Sequence, residues 1–215
     1  MTQPTDRTRL RRTHERGSYD KADIHAILDA TSQCAVGYVI DGKPYVTPTL
    51  HWREGNHVYW HGSSASRAIR ASKGVEVCLT VQILDGYVLA RSGFHHSANY
   101  RAVMIFGTAE EVTDPAEKEA RLNRFIDGLW PGRSAGLRPA QAQELKATTL
   151  LRLEITEASA KVRRGGPVDD EADYALPIWA GVVPVRQVID APEADPRNQE
   201  GVALPARGIG FEQER

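Results

Sequence analysis

The stretch Tyr59-Trp60-His61-Gly62-Ser63-Ser64-Ala65-Ser66-Arg67-Ala68-Ile69-Arg70 reads as a strand, a turn of small residues and the first turn of a helix. The first amides of a helix have no partner inside it, and the helix dipole favours negative charge there. Gly62 and the small side chains after it let an anion approach those amides. Ser63, Ser64 and Ser66 add hydroxyl donors, and the planar fork of Arg67 can hold two oxygens at once. These residues, in this order, suit a phosphate cradle. They also suit an ordinary Ser-capped helix with Arg67 and Arg70 in water.

Other segments give the cradle company. Ala98-Asn99-Tyr100-Arg101 opens another strand and brings a second guanidinium toward the same end of the fold. Val46-Thr47-Pro48-Thr49-Leu50 offers a flat strand surface. Pro48 removes one ladder donor, which places that strand at an edge or a bulge. His61, at the end of its strand, is the candidate for proton transfer near reacting atoms; the alternative is a rim histidine bonded to backbone. His51 and His57 read as surface or half-buried strand residues. His95 and His96 are adjacent and point to opposite faces of a strand, poor geometry for holding one metal. Asp169-Asp170-Glu171 with Asp173 lacks the Gly-punctuated spacing of a calcium loop, so a solvated turn is expected and no metal site is predicted. Tyr38, Tyr45 and Trp60 read as core packing.

The elements that must position these residues are mostly strands. Residues 1–17 are Arg-rich and poor in large apolar side chains, and are expected as a mobile basic arm. A helix begins near Asp20, with Ile24, Ile27 and Leu28 on one face. Short apolar runs then alternate with turn residues: Asp41-Gly42-Lys43 and Glu54-Gly55-Asn56 make hairpin turns, and Asp85-Gly86 is read as another. Asp114-Pro115-Ala116-Glu117 carries an N-cap, a first-position Pro and a capping-box Glu for a helix to about Leu129. A helical piece from Pro139 to Lys146 precedes the strand Thr149 to Ile155. The expected fold is mainly β: a closed or nearly closed barrel over 18–189 with a few peripheral helices, followed by a tail at 190–215.

Composition narrows the function. The chain has 215 residues, 26% of them charged and 41% hydrophobic, with a formal net charge of -1. That balance argues against a nucleic-acid binder. No apolar run approaches the ~20 residues needed to span a bilayer, and no hydrophobic signal core is visible, so a cytoplasmic location is expected. Cys34 and Cys78, the only cysteines, lie in strand-like stretches and read as reduced core residues.

Taken together, Pro44-Tyr45-Val46-Thr47-Pro48, then Tyr59 to Arg70, then Asn99-Tyr100-Arg101-Ala102-Val103-Met104-Ile105-Phe106-Gly107-Thr108-Ala109 resemble the pyridoxamine-5'-phosphate-oxidase-like FMN-binding split barrels. Within that superfamily the sequence is most similar to the nitroimidazole-resistance (Nim-type) branch, over roughly residues 10 to 185. The resemblance implies a split β-barrel homodimer with FMN at the subunit interface. It also implies that 46–50 line the isoalloxazine, that Ser66-Arg67 bind the phosphate, and that Arg101 beside Tyr100 is a second contact. Trp179-Ala180-Gly181 resembles a Trp-x-Gly element that reaches the flavin, and His61 aligns with a histidine regarded as functional in Nim-type proteins.

Two departures matter. Ala68 stands where the oxidases usually carry Lys, and the substrate-gripping Arg and His motif of the oxidase C-terminus is missing, which argues against vitamin B6 oxidation. The leading expectation is an FMN-dependent oxidoreductase acting on a small molecule, for which the Nim-type resemblance suggests a nitroaromatic, with NADH or NADPH docking transiently; no Gly-x-Gly-x-x-Gly fingerprint is present. The alternatives are a non-catalytic flavin-binding or flavin-sensing module and a haem-binding split barrel.

Overall fold

The structure, a computed structural model, describes residues 4–203. The chain runs through β1 (Gly17–Ser18), α1 (Lys21–Asp29), the hairpin β2 (Gln33–Ile40) and β3 (Lys43–Leu50), the hairpin β4 (Trp52–Glu54) and β5 (His57–Ser63), and α2 (Arg67–Ser72). The long strands β6 (Glu76–Leu89) and β7 (Ser97–Thr108) come next, then β8 (Glu110–Glu111), α3 (Pro115–Leu129), α4 (Ala142–Ala147), β9 (Thr148–Glu154), β10 (Glu157–Arg163) and β11 (Gly181–Pro184). One sheet has the order β1-β10-β7-β6-β2-β3, with β11 added to β6; the other has the order β4-β5-β9-β8.

This is a mainly β split barrel with peripheral helices. The nearly closed ring expected from the strand count is instead divided. The chain crosses between sheets at His51, through 64–75, at Ala109 and at Ile155-Thr156, where the ladder stops rather than continuing.

Local chemistry explains the elements. Asp41 (φ 50°) and Gly42 (φ 74°) both take the positive φ that a tight two-residue hairpin turn requires. That turn sets the register of β2 on β3, pairing Tyr38 with Tyr45 and Val36 with Thr47. Asp20 caps α1 by accepting from Ala22 N at 2.9 Å, and the helix buries Ile24, Ile27 and Leu28. Asp114 caps α3 by accepting from Glu117 N at 2.7 Å. Only half of the expected capping box forms, because the Glu117 carboxylate turns to Arg121 and Arg152, at 3.5 and 3.8 Å.

The core lies between the two sheets. Val36, Val58, Trp60, Leu79, Val103, Ile105, Leu151 and Leu153 meet there, each large apolar side chain contributing roughly 1.5–3 kcal/mol. β5 is buried on both faces. Its other side, with Tyr59, joins Trp52, Val112 and Leu150 beneath Leu122 and Phe125 of α3. Burial pushes the Cys34 thiol up to about 12, so this free cysteine stays protonated.

Two expectations change. Asp85-Gly86 is not a turn: β6 runs through it with a register shift between Leu84 and Gly86, and the chain reverses at 90–96 instead. Gly86 is used for close approach, since β11 pairs across it and Val183 O lies 2.9 Å from where a Cβ would sit. The arm expected to be mobile touches the sheet at several of its described residues. Arg7 pairs with Glu76 and Glu157 and covers the Phe106 ring, Thr8 is buried, and β1 extends the ladder of β10.

Residues 190–203 form no regular element, and the rest of the predicted tail, 204–215, lies outside the described residues. Among the described residues no helix is long and apolar enough to cross a membrane.

Gly86→Ala is expected to cost about 1–3 kcal/mol by pushing β11 off the sheet. Urea unfolding reads the loss, and amide exchange should accelerate at 181–184. An unchanged midpoint would show that the β6–β11 contact does not contribute to stability.

Candidate anion-binding site

β5 ends at Ser63 and α2 starts at Arg67, so the small-residue turn joins the second sheet to a short helix. Three of its amides are satisfied locally. Ser64 N donates to Ala147 O at 2.8 Å, Ala65 N to Ser63 Oγ at 3.2 Å, and Ser66 N to Ser63 O at 2.8 Å. The amides of Arg67, Ala68 and Ile69 have no acceptor among the described residues, and the N-cap Ser66 makes no side-chain cap bond. The Arg67 guanidinium lies 5.0 Å from the Tyr45 ring centroid, with no carboxylate partner among the described residues. Arg70 is used differently: its Nε donates to Ser64 O at 3.0 Å and ties the helix back to the turn.

A cavity of about 160 Å³ opens beside this turn. Thr47 and Thr49 of β3 form one wall, and Trp60, Gly62 and Ser66 another. Tyr38 closes it: its hydroxyl is 2.9 Å from Thr47 Oγ1, and its ring stacks on Tyr45 at 5.8 Å. Gly62 is required here, because a Cβ would meet Ile69 Cγ1 at 2.9 Å. Thr47, Thr49 and Ser66 thus bring hydroxyls to a partly apolar hollow that the first turn of α2 borders through Ala68 and Ile69, with Arg67 next to them in the chain, an arrangement that suits a phosphorylated ligand. Tyr38 and Trp60 were expected only as core. The hairpin register was the signal that could have placed Tyr38 beside the Thr47 wall.

The predicted residues fall into distinct groups. Thr47, Thr49, Gly62 and Ser66 line the cavity, while Arg67, next to Ser66 in the chain, lies over the Tyr45 ring. Val46, Pro48 and Leu50 occupy the outward face of β3 and are exposed. Ser63 and Ser64 build the turn. Tyr100 and Arg101 are not at the cavity, and Arg101 is committed to Asp85, with Nε at 3.0 Å and Nη2 at 2.8 Å from its carboxylate oxygens. Trp179 packs on Gly181, also away from it. His61 borders the cavity, but its ring packs toward α3, 6.0 Å from Trp52 and 5.2 Å from Phe125, with Nδ1 buried and unpartnered.

A larger groove of about 570 Å³ lies on the other face of the second sheet, lined by Arg53, Arg121, Arg124, Arg152, Glu54 and Tyr59 among others. Its cations are mostly occupied: Arg53 by Asp29, Arg121 by Glu54, Arg152 by Glu110. An anion entering there would have to displace carboxylates, so the smaller cavity is the better phosphate site. The acidic run read as a solvated turn is partly buried instead. Asp169 accepts from Arg91 Nη1 at 2.9 Å and from Arg91 N at 3.0 Å, which docks the 165–180 loop on the β6–β7 hairpin.

Burial holds the His61 ring below its ordinary value of 6.5, so it is neutral in the folded protein at pH 7. The unfolded chain restores the ordinary value, so between the two the unfolded state binds more protons. Stability from this group is complete above about pH 6.5 and is lost as pH falls below it. His25 and His51 are displaced in the same direction by burial. Thermal melts should therefore show the midpoint falling from about pH 7 to pH 5, and His61→Phe should flatten part of that slope. An identical slope in the variant would remove His61 from the account.

The sequence matches the family described as pyridoxamine 5'-phosphate oxidase over residues 20–162. No curated protein matches it. Among solved structures, a flavocytochrome from Azotobacter vinelandii is 50% identical, with 97% of each chain covered and a TM-score of 0.93. A protein from Mycobacterium smegmatis described as binding FAD and haem is 36% identical, covering 88% of this chain and 94% of that one, with a TM-score of 0.85. A candidate 5-nitroimidazole antibiotic resistance protein from Bacteroides thetaiotaomicron is 20% identical over 68% of this chain and 86% of that one, and its TM-score of 0.54 shows a shared fold alone. The chain belongs to the pyridoxamine 5'-phosphate oxidase family of split barrels.

Proposed function

We propose that the protein is a flavin-binding redox protein that also carries haem. The observation that carries the flavin half is the uncommitted start of α2 at the small cavity: among the described residues three of its amides have no acceptor and the Arg67 guanidinium has no carboxylate, next to a cavity lined by Thr47, Thr49 and Ser66. Support for the pair of cofactors comes from the two relatives above 30% identity, one described as a flavocytochrome and the other as binding FAD and haem.

In this reading the Arg67 fork and the first amides of α2 hold the nucleotide phosphate, and the hydroxyls of Thr47, Thr49 and Ser66 orient the portion of the ligand attached to it. The bound flavin supplies electron transfer; the chain's own residues supply position and exclusion of water. FMN and FAD share the phosphate that this cradle would grip. The Mycobacterium relative favours FAD over the FMN expected from sequence, so FAD is taken first. The fit of the haem half rests on the tip of the β6–β7 hairpin.

A second copy of the chain belongs to the reading. At about 160 Å³ the cavity is smaller than the ~300 Å³ that ligand pockets usually reach, so the ring system needs a further wall. The outward face of the larger sheet presents Val39, Val46, Leu50 and Met104 to solvent, next to that cavity's β3 wall. A small-molecule acceptor and transient NADH or NADPH complete the scheme.

The visible spectrum of the purified protein tests the cofactors, and the mass of the released nucleotide separates FAD from FMN. Bleaching of the flavin bands by NADH or NADPH, with recovery on adding an acceptor, would support catalysis; a flavin inert to both would favour a binding module. Arg67→Ala should weaken flavin binding at least about tenfold, the loss of a charge-assisted contact of roughly 1.5–3 kcal/mol. Unchanged affinity in a fluorescence titration removes Arg67 from the site.

A further inference from the structure

The β6–β7 hairpin turns at residues 90–96, and its tip fixes one histidine unlike any other in the chain. His96 Nδ1 lies 2.8 Å from Ser92 O, and a carbonyl oxygen only accepts, so Nδ1 carries the proton. In the neutral ring the lone pair is then on Nε2, on a side chain exposed to solvent. A ring held by a backbone carbonyl through one nitrogen, with the other free, is how metal-ligating histidines are oriented.

The remaining histidines lack this combination. His51 has both ring nitrogens against backbone carbonyls, at 3.2 and 3.1 Å, and is fully buried. His95 is engaged by Ser92 Oγ at 2.7 Å, and its Nε2 faces Asp170 at 3.9 Å. His25 and His61 each have a buried, unpartnered nitrogen. His14 and His57 have no hydrogen bond fixing their tautomer among the described residues.

The surroundings suit a flat apolar ligand. Phe94, two residues before His96, is 93% exposed. Arg91 lies over the Tyr174 ring at 4.8 Å and binds Asp169, which holds the 165–180 loop against the hairpin. That loop exposes Tyr174, Leu176, Ile178 and Trp179. An imidazole on the same hairpin tip as an uncovered phenyl ring, with further exposed apolar side chains on the loop docked to that hairpin, offers what a haem needs: a ligating nitrogen and an apolar surface for the macrocycle.

We propose that His96 would ligate the haem iron through Nε2, with Phe94 packing against the macrocycle. The inference rests on the flavohaem reading and adds the ligand to it.

Hemin titration followed at the Soret band tests it, using the flavin-loaded full chain and its His96→Ala, His57→Ala and His95→Ala variants. Wild type should take up haem stoichiometrically. His96→Ala should bind it about tenfold or more weakly, or with a shifted Soret band that added imidazole restores, while its flavin bands stay at the wild-type level and report intact folding. The His57 and His95 variants should behave as wild type. Haem uptake and spectrum unchanged in His96→Ala overturns the assignment and leaves the flavohaem reading standing. A wild type that takes up no haem overturns both.

Discussion

The approach of Ile69 to Gly62 is the contact on which the cradle depends. It seats a six-residue helix directly on the end of β5, at a distance that no side chain at position 62 would allow. With the helix so placed, Ser66, Ala68 and Ile69 border the cavity. β5 itself has no freedom to slip, because it is buried on both faces. A one-residue shift would send Trp60 to the α3 side and Tyr59 into the main core. The cradle is thus referenced to the most constrained strand of the molecule.

Much of this was readable from the residues. Asp-Gly at 41–42, the Asp20 and Asp114 caps and the strand-turn-helix at 59–70 each have a single strong local cause, and each lies where the sequence pointed. Asp85-Gly86 did not, because Gly marks both turns and close backbone approach; only β11, almost 100 residues later, shows which one applies. The Arg101–Asp85 pair depends on the register of β6 against β7 across a bulge, which no local pattern encodes. His61 is a different case. Strand alternation puts it with Tyr59 and opposite Trp60, so its ring could have been assigned to the helix-covered face by counting alone.

The two ends of the fold have different characters. The cradle is built from strands and a helix packed on the main core. The hairpin tip and the 165–180 loop hold one another through Arg91, Asp169 and Tyr174 and contribute little to that core. Regions with few buried apolar contacts open at lower free energy than the sheets they extend from. Placing the more plastic end next to large exposed aromatic side chains is consistent with a surface that becomes ordered when covered.

The free edge of β3 has a consequence of its own. Pro44 and Pro48 share strand parity, and since neither can donate to β2, their nitrogens sit on the outward edge. Half of the positions from which 44, 46, 48 and 50 would present donors are thereby silenced. An unpaired strand is ordinarily a template for adding a foreign one, and so for aggregation. Here the border is made unreadable to an incoming chain by two missing hydrogens, which leaves the pleated surface, not the rim, as the place where another polypeptide can settle.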